Sequence, residues 1–175
     1  MKPSNQEMTN VRLAPLTGRH VLEMLRIFND HVAEGFAAYP EEPLSERAVA
    51  TFLRQAADHP AIAAEGSDET LLGFGFLRPY SPHSTFAHTA QITCFLDPAH
   101  TRKGIGTAVL HQLENAASAQ GITKILAHIS SRNPASHAFH AKHGFVECGR
   151  FPGIGRKWGE PFDIVWMIKS LPEDK

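Results

Sequence analysis

Cysteine is scarce in this chain of 175 residues: Cys94 and Cys148 are too few to staple a domain of this size, and they read as reduced thiols. Charge of either sign is not in excess. Seventeen basic residues against eighteen acidic ones leave a net charge of −1, which argues against a general nucleic-acid surface or an anionic membrane as partner. No apolar run approaches the roughly twenty residues that span a bilayer. Residues Met1 to Thr9 are polar and lack the apolar stretch of a signal peptide, so they are expected to form a flexible tail. No segment repeats at a fixed period. What is present is ordinary globular material, 42% hydrophobic and 20% charged. The expectation is a single cytoplasmic domain over residues 10–175.

Within it, helix-period and strand-period segments are mixed. Val11, Leu13 and Pro15 alternate as a short strand. Val21, Leu25, Phe28 and Val32 fall on one helical face, and Gly35 ends that helix. A loop covers Phe36 to Pro43, and Ser45 is placed to cap a second helix running to about Ala57. Ala61–Glu65 and Leu71–Leu77 flank the turn signal Gly66-Ser67-Asp68 as a hairpin. Thr89–Leu96 is a further strand that Asp97-Pro98 ends. A third helix occupies about Gly104 to Gln120, and Lys124–Ile129 is a buried-type strand. Asn133-Pro134 opens a fourth helix, which Gly144 stops. Phe145–Phe151 and Phe162–Ile168 form the last strands, and their Gly-rich, basic connection, Pro152 to Glu160, reads as a solvated tip. The class is α+β: a mixed, mostly antiparallel sheet of about seven strands with about four helices on its two faces.

The segment with chemical content is Leu96 to Ala108, LDPAHTRKGIGTA. A strand ends, a short basic loop follows, and Gly104 and Gly106 lie where a helix begins. Backbone N–H groups there can approach a phosphate, helped by the helix N-terminus and by the charges of Arg102 and Lys103. The ending is not that of a P-loop, and the third glycine of a dinucleotide fingerprint is missing. About thirty residues on stand Asn133-Pro134-Ala135-Ser136 and Phe139-His140-Ala141-Lys142-His143-Gly144-Phe145.

Together these two elements resemble the GNAT-superfamily acetyltransferases, and the phosphinothricin-acetyltransferase-like branch in particular. The branch's features recur as Ile27-Phe28-Asn29, Gly73-Phe74, Leu77-Arg78-Pro79-Tyr80, His88-Thr89-Ala90 and Gly155-Arg156-Lys157, so the resemblance runs from about Val11 to Ile168. It implies the GNAT fold, acetyl-CoA as acetyl donor, a small primary amine as acceptor and a homodimer. By resemblance, the amides of Arg102, Lys103, Gly104, Ile105, Gly106 and Thr107 hold the pyrophosphate. Cys94, Phe95 and Leu96 pair with the pantetheine, and Asn133 is within reach of it. Read from the residues alone, Asn133 is a helix cap, and Cys94, sharing a strand face with Ile92 and Leu96, is a core residue.

The catalytic candidates are His140 and Gln91. An imidazole at 140 can protonate the departing thiolate or accept a proton from the amine. The branch carries a glutamate base where this chain has Gln91, which can position a water or the amine but takes up no proton. Tyr39, Arg78, His83 and His88 complete the acceptor candidates. Two arginines of phosphinothricin-type relatives are Ser81 and Ala87 here, so the expected acceptor is amino-acid-like or another amine, not phosphinothricin itself. His137, His140 and His143 recur every three residues, but the helix spreads them and no metal is expected. Two other readings remain open: a catalytically weak acetyl-CoA-binding module acting through a partner, and a peptide or protein N-acetyltransferase.

Overall fold

The computed structural model describes residues 11–56 and 58–172. The expected tail and Ala57 lie outside the described residues. Seven strands form one sheet in the order β1-β2-β3-β4-β5-β7-β6: β1 Arg12–Pro15, β2 Ala61–Glu65, β3 Leu71–Pro79, β4 Thr89–Leu96, β5 Lys124–Ser130, β6 Val146–Lys157 and β7 Glu160–Ser170. The helices are α1 Val21–Glu34, α2 Glu46–Gln55, α3 Ile105–Ala119 and α4 Pro134–Lys142. All neighbouring strands are antiparallel except β4 and β5.

Strand β3 shows how sequence sets the two faces. Phe74 and Phe76 point to one side and pack with Met24 and Ile27 of α1 and Val49 of α2. Leu77 turns the other way, into the cluster of Val109, Leu110 and Leu113 of α3. Gly75 shares that second face, where a Cβ would stand 2.8 Å from Val109 and 3.0 Å from Leu113. The alternation Gly-Phe-Gly-Phe therefore lets α3 settle against the backbone of β3 while phenylalanines fill the opposite layer.

Caps fall where the sequence places them. The Ser45 side chain accepts from Ala48 N, and that of Asn133 from Ser136 N. The expected tip is solvated over most of its length but is mainly strand. Strands β6 and β7 run on until Lys157 faces Glu160, with an irregular register between Phe151 and Gly155 that absorbs Pro152 and Gly153. The glycines suit the hairpin rather than ending it: a Cβ on Gly155 would lie 2.2 Å from the Phe162 ring. Lys157 is fully buried.

The feature that makes room for a site is the central strand pair. Strands β4 and β5 are paired only through Thr89, Ala90 and Gln91 opposite Lys124, Ile125 and Leu126. Both then continue, to Leu96 and to Ser130, without pairing to each other. The sheet opens there as a wedge.

Candidate active site

A cleft of about 470 Å³ occupies this wedge, lined along one wall by Ile92 to Leu96 of β4 and along the other by Ala127 to Ser130 of β5. Among the described residues, its charged lining consists of Arg78 and Arg102, with His31, His128 and His140 as further titratable groups besides Tyr39 and Cys94, and no carboxylate lines it. An electropositive, carboxylate-free cavity suits anionic ligands.

At one end lies the loop before α3. Arg102 and Gly104 have φ of 60° and 85°, so left-handed residues alternate along the loop. Such alternation turns successive N–H groups inward as an anion-binding concavity, next to a helix N-terminus. Gly106 and Arg102 line the cleft, as do Asn133, Ser136, Phe139 and His140 from the α4 side. Thr107 sits behind, its hydroxyl 3.1 Å from His143 Nε2. The unpaired edge of β4 is partly met by His31, whose Nε2 donates to the Leu96 carbonyl at 2.7 Å.

His140 is buried, and its Nδ1 donates to the Ser136 carbonyl at 2.8 Å. In the neutral ring that leaves the lone pair on Nε2. Burial pushes its pKa below the usual imidazole value, and the nearby His143 and His137 act in the same direction against the Ser136 bond. The ring is thus a neutral proton acceptor near pH 7. Burial pushes the Cys94 thiol up to about 12, so it stays protonated near pH 7.

The other end is built from side chains. The Arg78 NH2 group donates to Gln91 Oε1 at 2.8 Å and stands 3.4 Å from His128 Nε2. A guanidinium only donates, so Nε2 accepts and Nδ1 carries the ring proton. The Tyr39 oxygen lies 2.9 Å from that Nδ1, and its own proton goes to the His128 carbonyl at 3.0 Å. Burial pushes the tyrosine up to about 12, and burial and the charge of Arg78 push His128 down. Tyr39 in turn stacks on Phe162. The loop that carries it is pinned from below: Lys157 Nζ donates to the carbonyls of Val32, Gly35 and Ala38 at 2.7, 2.6 and 2.9 Å.

A sequence profile of the Acetyltransferase (GNAT) family matches residues 24–145. The chain belongs to the GNAT acetyltransferase family. Among similar proteins is the L-methionine sulfoximine/L-methionine sulfone acetyltransferase of Pseudomonas paraeruginosa, 30% identical over 150 residues, covering 85% of this chain and 87% of that protein. The phosphinothricin N-acetyltransferase of Streptomyces coelicolor is 26% identical over 165 residues, covering 92% and 96%. A GNAT phosphinothricin acetyltransferase from Sinorhizobium meliloti, solved in complex with acetyl-CoA, superposes with a TM-score of 0.86 at 25% identity, over 93% of this chain and 89% of that one. Among the described residues, no helix is long and apolar enough to cross a membrane.

Against this GNAT frame, the expected residues divide. Cys94, Phe95, Leu96, Arg102, Gly106, Asn133, His140, Tyr39 and Arg78 all line the cleft. Lys103, Gly104, Ile105 and Thr107 belong to the same loop and helix start but do not line it. His83 and His88 are exposed on the segment between β3 and β4 and stay outside the lining. Gln91 also stays outside the lining, its side-chain oxygen accepting from Arg78, which does line the cleft. The histidines at 137, 140 and 143 have separate partners, Glu147, Ser136 and Thr107, and no group of three metal-ligating side chains forms among the described residues.

His128 was not anticipated. Lys124 to Ile129 has the look of a plain buried strand, and Ile125, Ala127 and Ile129 are buried on the α3 side. The available signal was alternation: His128 occupies the opposite face, where it meets Tyr39 and Arg78. Lys157 was missed because a basic residue among glycines reads as surface.

Proposed function

We propose that this GNAT enzyme transfers the acetyl group of acetyl-CoA to the primary amine of a small, amino-acid-like acceptor, with donor and acceptor meeting inside the β4–β5 wedge. The observation that carries the reading is the wedge itself. A strand edge left unpaired from Ile92 to Leu96, ending beside an inward-turned amide loop and two basic side chains, fits an extended amide-bearing arm tipped by phosphates. The thioester supplies the activated acetyl group.

The chain's own residues supply the rest. The loop from Arg102 to Thr107 holds the anionic end of the donor, and Cys94, Phe95 and Leu96 hold its amide arm through their backbone. Asn133 caps α4 and borders the arm. Nε2 of His140 accepts the proton that the acceptor nitrogen sheds as it bonds to the acetyl carbon, and the imidazolium then protonates the departing thiolate. A lowered pKa supports this order, because only the neutral ring can begin it. The acceptor reacts through its neutral amine fraction, which grows as pH rises toward the amine's own pKa.

Release of free CoA, followed across a panel of amino acids, amino-acid analogues and polyamines, tests the reading. Saturable release with formation of the N-acetyl product is expected for at least one amino-acid-like acceptor. Release no faster than hydrolysis for every acceptor, in a protein that still binds acetyl-CoA, contradicts it and favours a binding module.

A further inference from the structure

The first turn of α3 carries a hydroxyl whose proton is aimed away from an anion. Thr107 lies three residues past the left-handed Gly104, in the helix start that holds the anionic end of the donor in the reading above. Its hydroxyl oxygen is 3.1 Å from Nε2 of His143, the C-cap residue of α4. Nδ1 of the same ring lies 2.8 Å from the Phe139 carbonyl. A carbonyl only accepts, so in the neutral ring Nδ1 carries the proton and Nε2 the lone pair. Thr107 then donates to Nε2, and its oxygen turns lone pairs outward, as a phosphate does. In the imidazolium the bond reverses: Nε2 donates to the threonine oxygen, and the hydroxyl proton is free to meet an anion.

The surroundings set which form is held. A helix C-terminus favours a cation at 143, whereas the N-terminal end of α3 disfavours one. The loop before α3 adds Arg102 and Lys103. His111, one turn along α3 from Thr107, stands edge-on with its ring centroid 5.7 Å from that of His143. His140 and Lys142 share α4 with the ring. From β7, Lys169 packs at Gly144, but Glu114 of α3 already pairs with it at 2.6 Å. Among the described residues, no carboxylate lies within ion-pair distance of His143 or His111. A phosphate at the start of α3 is the anion that tips the ring to its charged form.

We propose that His143 is a positioning residue for the donor: it takes up a proton from solvent as acetyl-CoA binds, and so turns the Thr107 hydroxyl toward a phosphate of the bound molecule. The proposal rests on the donor site of the acetyl-transfer reading and deepens it. The bound state holds the extra proton, so affinity rises as pH falls through the range in which imidazoles titrate, and the coupling is reciprocal.

The test is calorimetric titration of CoA into the full chain between pH 8 and pH 6, in paired buffers of different ionisation enthalpy. Dephospho-CoA is titrated alongside, because a phosphate monoester itself titrates near pH 6. The native protein is expected to take up a proton and to bind about fivefold more tightly at pH 6 than at pH 8. Uptake kept with dephospho-CoA assigns the contact to the pyrophosphate, and uptake seen with CoA alone assigns it to the terminal phosphate. His143→Gln offers Thr107 an amide N–H at every pH. It should bind at pH 8 at least as tightly as the native protein, with no uptake and a flat pH dependence. Thr107→Val should flatten most of that dependence, whereas His111→Gln should keep it. Loss of uptake in His111→Gln but not in His143→Gln places the proton on the wrong ring and overturns the assignment. Imidazole 15N spectra read the same event directly: the signals absent from His143→Gln should pass from the Nδ1–H tautomer to imidazolium when CoA is added at constant pH. CoA binding with no proton uptake and an unchanged ring overturns the proposal and leaves the donor site standing. No CoA binding at all overturns both.

Discussion

The end of the cleft assigned to acetyl-CoA is made of backbone, whereas the end assigned to the acceptor is made of side chains from separated elements. In the first, one stretch from Ile92 to Thr107 supplies a strand edge and an amide loop, and α4 follows close behind. In the second, Tyr39 comes from the loop after α1, Arg78 from β3, Gln91 from β4 and His128 from β5. Backbone geometry depends little on side-chain identity, so the first end can stay constant while substrates change. The second end changes with a few substitutions, and its network of mutually oriented polar groups makes each of them matter. A constant donor site and a rewired acceptor site on one fold is what such a division permits.

His140 lines the cleft from α4, and removing it should have the largest effect. His140→Ala is expected to lower kcat by about 10²-fold or more, with acetyl-CoA affinity retained. The native rate should fall as pH drops through the lowered pKa of the ring, since protonated His140 cannot accept a proton. That limb lies below the ordinary imidazole value of about 6.5, and it should be absent from the variant. The same depressed pKa also adds to stability above the unfolded value, and this contribution is lost as pH falls through the folded one, because the unfolded chain binds the proton first.

Lys157→Met sharpens the comparison from the acceptor end. It removes three donors from the carbonyls of Val32, Gly35 and Ala38, costing about 3 kcal/mol and on the order of 10 °C in Tm. Because those carbonyls shape the loop leading to Tyr39, acceptor KM should rise more than acetyl-CoA Kd, as steady-state kinetics and calorimetry would read. An equal loss at both ends would mean that Lys157 serves the fold alone.

The same division explains what the sequence disclosed. The succession of strands and helices along the chain, the capping residues Ser45 and Asn133, and the glycine-bearing loop before α3 are local patterns, and each is legible from neighbouring residues. The bonds from Arg78 to Gln91 and His128 join residues 13 and 50 positions apart, and that from Tyr39 to His128 joins residues 89 apart. No periodicity carries such pairs. Gln91 stands out by resemblance as a missing carboxylate, yet its bond to Arg78 is visible only in the structure. Lys157 was misread for a related reason: hairpin glycines look like a loop until the register of β6 on β7 is known.

Calorimetric titration of acetyl-CoA into two variants tests the division most directly. Reversing the loop charges, in Arg102→Glu/Lys103→Glu, should weaken acetyl-CoA binding roughly tenfold or more, since each reversal sets an anion beside phosphates. Arg78→Gln should bind acetyl-CoA as the native protein does. Equal weakening in both variants, or none after charge reversal, would contradict a donor site and an acceptor site that are built and tuned apart.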